Sequence, residues 1–149
     1  DLHALGPRGL PECAGQAWTI DIQHPRPTSA DDDTPLAQLE LARGGLATSG
    51  DYERFFELDG RRYSHILDPR TGWPLEGLMS ATAICASAMQ AEVVAKLLLL
   101  LGLESALDLC DRNDWRVEAL LLKGEDGHSL RVMQTAALQF KAIPIRIGA

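Results

Sequence analysis

Apolar and polar positions alternate over Ala17–Gln23, A-W-T-I-D-I-Q, and put Trp18, Ile20 and Ile22 on one face. A period of two predicts a half-buried strand. His24-Pro25-Arg26-Pro27 ends it, because neither proline can donate a ladder hydrogen bond. Residues 1–16 are rich in Gly, Pro and small side chains and predict a strand end followed by a loop. Leu36–Leu41 alternates in the same way, and Gly44-Gly45 is expected to break that strand before Leu46-Ala47-Thr48. Arg54–Leu58 and Arg61–Leu67 predict a hairpin turned on Asp59-Gly60, a favoured pair for a two-residue turn. Met79–Ala86, M-S-A-T-A-I-C-A, is small and apolar enough to be a strand buried on both faces.

The pattern changes at Ala88–Leu101, A-M-Q-A-E-V-V-A-K-L-L-L-L-L, which predicts a buried helix with Ser87 as N-cap and Gly102 as C-terminal cap. Leu103–Arg112 predicts a second, amphipathic helix. Val117–Leu122 is a further strand, turned by Gly124–Gly127 toward Leu130–Met133. In the tail, Ile143, Ile145 and Ile147 alternate as in an edge strand, where Pro144 is tolerated. Strands and hairpins in mixed order with helices argue an α+β fold: a mostly antiparallel sheet packed with two main helices.

Composition narrows the classes. At 149 residues and 46% hydrophobic, the chain can form one ordinary domain with a real core. A net charge of −7 leaves no basic stripe to neutralise phosphates, so a nucleic-acid surface is not expected. Cys13, Cys85 and Cys110 show no C-x-x-C spacing, and their odd number cannot form a complete disulfide framework; buried thiols are expected. The leucine run is shorter than the ~18 apolar residues that mark a membrane span. Asp31-Asp32-Asp33 lacks the spaced oxygens of a calcium loop and reads as a solvated turn.

Two polar, glycine-bearing clusters, Ala47–Tyr52 and Tyr63–Gly72, flank the hairpin. Thr48-Ser49-Gly50-Asp51 offers two hydroxyls, a carboxylate and a glycine that permits close backbone approach, the means by which a protein holds a polar ligand. An ordinary turn, with Asp51 bonding nearby amides, accounts for the same residues. His65 lies between Ser64 and Ile66, with Asp68 three residues on. A lone histidine is usually structural, and a general base needs a proton donor within about 3 Å. Asp68-Pro69 can equally serve only to shape a turn.

A-T-S-G-D-Y-E-R-F-F followed by R-Y-S-H-I-L-D-P-R-T-G-W-P, with a third block over Ala83–Gly102, closely resembles the ApbE family of FAD:protein FMN transferases. The resemblance covers roughly residues 1–135, corresponds to the C-terminal half of such a protein, and leaves the tail 140–149 outside. It implies an α+β fold related to the T-fold, with 1–149 forming one domain. It implies FAD as substrate, with FMN passed to a Thr hydroxyl of an acceptor flavoprotein subunit. It places Thr48, Ser49, Gly50 and Asp51 at the flavin, His65 and Ile66 lining the pocket, and Asp68 and Thr71 in a tight loop beside it. Relatives carry an upstream half with a D-x-G-G-x-x-K-G-like segment and are often exported lipoproteins. Neither that segment nor a leader occurs in these residues, and Asp1–Gly6 reads as the middle of something, so a missing N-terminal half is expected.

The helix departs from the family pattern. Members of the family show A-M-x-A-D-x-x-A-T, whose Asp and Thr bind a Mg²⁺ that bridges to the FAD phosphates. Here Glu92 stands for the Asp and Lys96 for the Thr. A protonated lysine has no lone pair to offer a metal, whereas Glu92 and Lys96 at i,i+4 can form an ion pair. Three expectations follow. Lys96 replaces the metal as a fixed positive charge in catalysis, with Glu92 left as the sole familiar metal ligand. Alternatively the site is inactive and the protein only binds flavin or a partner. Or the two residues are a plain surface pair, which sits poorly on so apolar a helix.

Overall fold

A computed structural model describes residues 2–6, 8, 15–26, 34–125, 129–138 and 140–142. Among these residues ten strands and two helices follow in the order β1 (Leu2–Ala4), β2 (Trp18–Ile22), β3 (Ala37–Leu41), β4 (Gly44–Gly50), β5 (Phe55–Leu58), β6 (Arg61–Ser64), β7 (Leu78–Cys85), α1 (Ala88–Leu101), α2 (Leu103–Arg112), β8 (Glu118–Glu125), β9 (Ser129–Gln134) and β10 (Phe140–Ala142). All pairings are antiparallel, in a five-stranded sheet β1-β4-β7-β8-β9, a three-stranded sheet β10-β3-β2 and the separate hairpin β5-β6. The α+β architecture of two helices on mostly antiparallel sheet is the one the sequence predicts.

The large sheet is the middle of three layers. On one face Ala47, Ala81, Ala83, Ala119 and Leu121 pack against Ala91, Val94, Ala95, Leu98 and Leu99 of α1 and Ala106 and Cys110 of α2. On the other, Leu46, Leu120 and Leu122 meet Ile22, Leu39 and Leu41 of the small sheet. Strand alternation sorts neighbours such as Leu120 and Leu121 onto opposite faces. This is why β7 has no exposed face, and why the residues it turns toward the helices are as small as alanine. The buried stripe of α1 recurs at 91, 94, 95, 98 and 99, the spacing of one helical face.

Capping sets the ends of α1. The Ser87 hydroxyl accepts from the Gln90 amide at 3.2 Å. Gly102, at φ 78°, donates its N–H to the Leu98 carbonyl. Both helices occupy the predicted ranges. Burial pushes the Cys85 thiol up to about 11, with Cys110 nearby adding to the effect, so both are protonated core residues at neutral pH.

Three expectations are corrected. Gly44-Gly45 opens β4 instead of breaking the chain. A Cβ on Gly45 would lie 2.0 Å from the Ala88 amide nitrogen, so the missing side chain is what lets the start of α1 rest on the strand. The second hairpin strand stops at Ser64, short of Leu67, where the Ser64 hydroxyl accepts from the Ile66 amide and turns the chain. Gly124 lies inside the β8–β9 ladder, opposite Leu130, and not in the turn; a Cβ there would meet Met79 Cε at 2.4 Å. The hairpin turn itself has Asp59 at φ 51° and Gly60 at φ 73°, the left-handed pair expected of Asp-Gly. β10 is an edge strand beside β3. Cys13, Asp31–Asp33 and the Ile143–Ile147 expectation lie outside the described residues.

Candidate functional site

A cleft of about 210 Å³ opens where the end of β4, the root of the β5–β6 hairpin and the first half of α1 come together. Thr48, Ser49 and Gly50 line it from the strand, Glu53 and Arg54 from the bend that follows, His65 and Ile66 from beyond the hairpin, and Glu92 and Lys96 from the helix. Both glycine-bearing clusters thus meet in one space, and the helix pair closes it.

Alternation along β4 decides what each hydroxyl does. Ala47 packs on the helix side, so Ser49 turns the same way. Thr48 turns to the other face, where its hydroxyl shares a 2.9 Å hydrogen bond with Thr82 directly across the ladder. Ser49 is 7% exposed and its hydroxyl has no partner among the described residues. Of the two, Ser49 is the hydroxyl left for a ligand. Gly50 owes its missing side chain to a neighbour: a Cβ would stand 2.5 Å from the Tyr52 ring. Burial of that ring raises the Tyr52 phenol above its ordinary range, although a hydrogen bond with Ser80 opposes the shift.

Three predicted residues lie away from the cleft lining. Asp51 receives both guanidinium nitrogens of Arg26, at 2.8 and 2.6 Å, and its amide donates to the Met79 carbonyl. Asp68 and Thr71 close the loop 68–74 on itself. The Asp68 carboxylate accepts from the backbone and side chain of Arg70, which holds it well below the ordinary carboxylate range, at about 2. The Thr71 and Gly72 amides donate to the Asp68 carbonyl, and the Thr71 hydroxyl accepts from the Trp73 amide. This rigid loop returns to donate the Leu75 amide to the Ile66 carbonyl, so it buttresses the cleft through Ile66.

His65 is held twice by one carbonyl. Its amide and its Nδ1 lie 3.1 and 2.9 Å from the Arg54 oxygen. A carbonyl only accepts, so Nδ1 carries the proton, and a neutral ring leaves Nε2 as a bare acceptor.

On α1, the Lys96 ammonium is hydrogen-bonded to a Glu92 carboxylate oxygen within an i,i+4 ion pair, both side chains partly exposed. The Mg²⁺ that the family pattern implies does not fit these residues. Mg²⁺ takes a near-octahedral set of hard oxygens. Here the one carboxylate on the helix already holds an ammonium, and the Thr48 hydroxyl is bonded to Thr82. Among the described residues, no group of three His, Cys, Asp or Glu comes together.

Glu53 and Arg54 were missed as cleft residues, because Arg54 reads as the first residue of a strand that in fact begins at Phe55. Arg26 was missed as well: between two prolines it reads only as a strand terminator. A charged residue immediately after a turn cluster is the signal that could have marked Glu53 and Arg54.

Similarity to known proteins agrees with this geometry. The ApbE family model matches residues 1–121. The FAD:protein FMN transferase of Salmonella typhimurium is 36% identical over 123 residues, which is 82% of this chain and 34% of that protein. The Escherichia coli FAD:protein FMN transferase is 34% identical over the same shares. Among solved structures, the ApbE protein of Thermotoga maritima superposes with a TM-score of 0.66 at 32% identity, over 85% of this chain and 38% of that one. The Pseudomonas stutzeri flavinyl transferase ApbE gives 0.59 at 36% identity, over 83% and 36%. The chain therefore spans about a third of the length of the curated relatives it matches. On sequence, fold and the order of its three motif blocks, the chain belongs to the ApbE family.

Proposed function

We propose that these 149 residues form one domain carrying part of the pocket of an FAD:protein FMN transferase, which moves FMN from FAD to a Thr hydroxyl of a redox partner protein. One observation carries this: Ser49 and Gly50, His65 and Ile66, and Glu92 and Lys96 come from three separate stretches and line one cleft. In the reaction the acceptor Thr oxygen attacks the phosphorus of the FMN half, the phosphoanhydride breaks, and AMP departs. Ser49 offers a hydroxyl to a phosphate oxygen, Ile66 an apolar surface to the flavin ring, and the bare Nε2 of His65 takes the Thr proton. Lys96 takes the position that a metal holds in the family pattern and sets a fixed positive charge against the anionic phosphates.

A second reading has its own support. Glu92 is paired with Lys96, and among the described residues no metal donor set stands in for it, so a module that binds flavin or a partner without chemistry is the alternative. Incubating the full-length protein with FAD, Mg²⁺ and an acceptor bearing the target Thr separates the two. Covalent flavin fluorescence on the acceptor in a denaturing gel supports transfer; FAD retained without transfer supports the binding module. A protein that neither retains FAD nor labels the acceptor overturns transfer and flavin binding alike.

A further inference from the structure

We infer that Arg54 is the group that recognises the diphosphate of the dinucleotide, an assignment that rests on the flavin reading above and deepens it. Several other cations among the described residues already hold acids. Arg26 holds Asp51, Arg70 holds Asp68, Arg62 holds Glu57 and Arg61 holds Glu76. Lys96 holds Glu92. Arg54 lines the cleft, and its guanidinium has no acidic or hydrogen-bonding partner among the described residues.

Its backbone, by contrast, is fixed. The Arg54 carbonyl accepts from both the amide and the ring of His65, so the side chain departs from a set point at the root of the hairpin. A planar fork on a fixed root is suited to two oxygens of a diphosphate, which an ammonium meets only as a point charge. The charges around the cleft point the same way. Lys96 is already ion-paired with Glu92, so Arg54 adds to the cleft a cation that no partner among the described residues engages. Glu53, its neighbour on the same wall, supplies the opposing sign. Together they place the anionic middle of the ligand beside Arg54.

The test is binding by the intact protein of three probes: FAD, ADP and riboflavin, which share the diphosphate or the ring but not both except in FAD. Arg54→Ala is expected to weaken FAD and ADP by about 10- to 100-fold, the range of one lost charge-assisted contact, and to leave riboflavin unchanged. Arg54→Lys is expected to restore part of that loss, and Glu53→Gln to tighten FAD and ADP. Equal loss of riboflavin and FAD in Arg54→Ala, or undiminished ADP binding, overturns the assignment. If the unaltered protein binds none of the three, the flavin reading itself fails. If it binds FAD and Arg54→Ala binds it equally well, only the role of Arg54 fails. Unchanged thermal unfolding of Arg54→Ala, expected for an exposed side chain, separates lost recognition from lost folding.

Discussion

Arg26 and Asp51 clasp each other through two parallel hydrogen bonds, 25 residues apart in the chain, and tie the loop after β2 to the end of β4. Arg26 Nη1 also donates to its neighbouring Pro25 carbonyl at 2.7 Å, and its amide donates to His24 Nδ1, so the guanidinium is oriented from its own side. The strand it anchors supplies Ser49 and Gly50 to the cleft. With side chains 32% and 18% exposed, the pair is partly withdrawn from water and weakly screened.

A double-mutant cycle with Arg26→Ala and Asp51→Ala is therefore expected to show a coupling of about 1–3 kcal/mol in urea unfolding. Each single variant should lose about as much stability as the double. Additive losses would show that the clasp contributes little. If Asp51 contacts ligand directly, Asp51→Ala would weaken FAD binding far more than Arg26→Ala; the structure predicts similar effects for the two.

Gly45→Ala is expected to destabilise the protein by about 3 kcal/mol or more, since the added methyl meets helix backbone and not a movable side chain. Gly60→Ala, where a Cβ meets nothing within 4 Å, is the control: its cost comes from the φ of 73° alone and should be about 1 kcal/mol. Thermal unfolding of the two variants measures the difference, and equal losses would contradict the close approach of α1 to β4.

Lys96→Thr restores the oxygen that the family pattern places on this face of α1. If Lys96 acts in the metal's place, the variant should become dependent on Mg²⁺, with transfer falling on the order of 10- to 100-fold in chelator. The unaltered protein should show a much smaller change. A variant that behaves identically with and without chelator removes that role from Lys96.

Asp68 predicts an acid-sensitive loop. Arg70 depresses its folded pKa to about 2 from an ordinary 3.8. A depressed carboxylate contributes stability that is complete above the ordinary value and is lost as pH falls from about 4 through 2. Asp68→Asn removes the titrating group, so its melting temperature should fall less steeply over that window than that of the unaltered protein. Parallel curves for the two would show that the pair does not stabilise the fold.

What could be read from the chain alone is what depends on neighbours a few residues away. The strand at Trp18–Ile22, the Asp59-Gly60 turn and the helix α1 between Ser87 and Gly102 rest on local pattern, and each forms as expected. Local pattern also carried the two loop clusters and the Glu92–Lys96 pair, because i,i+4 proximity is a property of any helix. The destination of each polar group in those clusters was another matter. Asp51 reads like a ligand group and belongs to Arg26; Gly50 reads like room for a ligand and accommodates Tyr52; Arg54 reads like strand and enters the cleft. Whether a charge or a hydroxyl is free depends on the partner that folding brings to it. That partner comes from a distant strand, loop or helix, so no local pattern contains it.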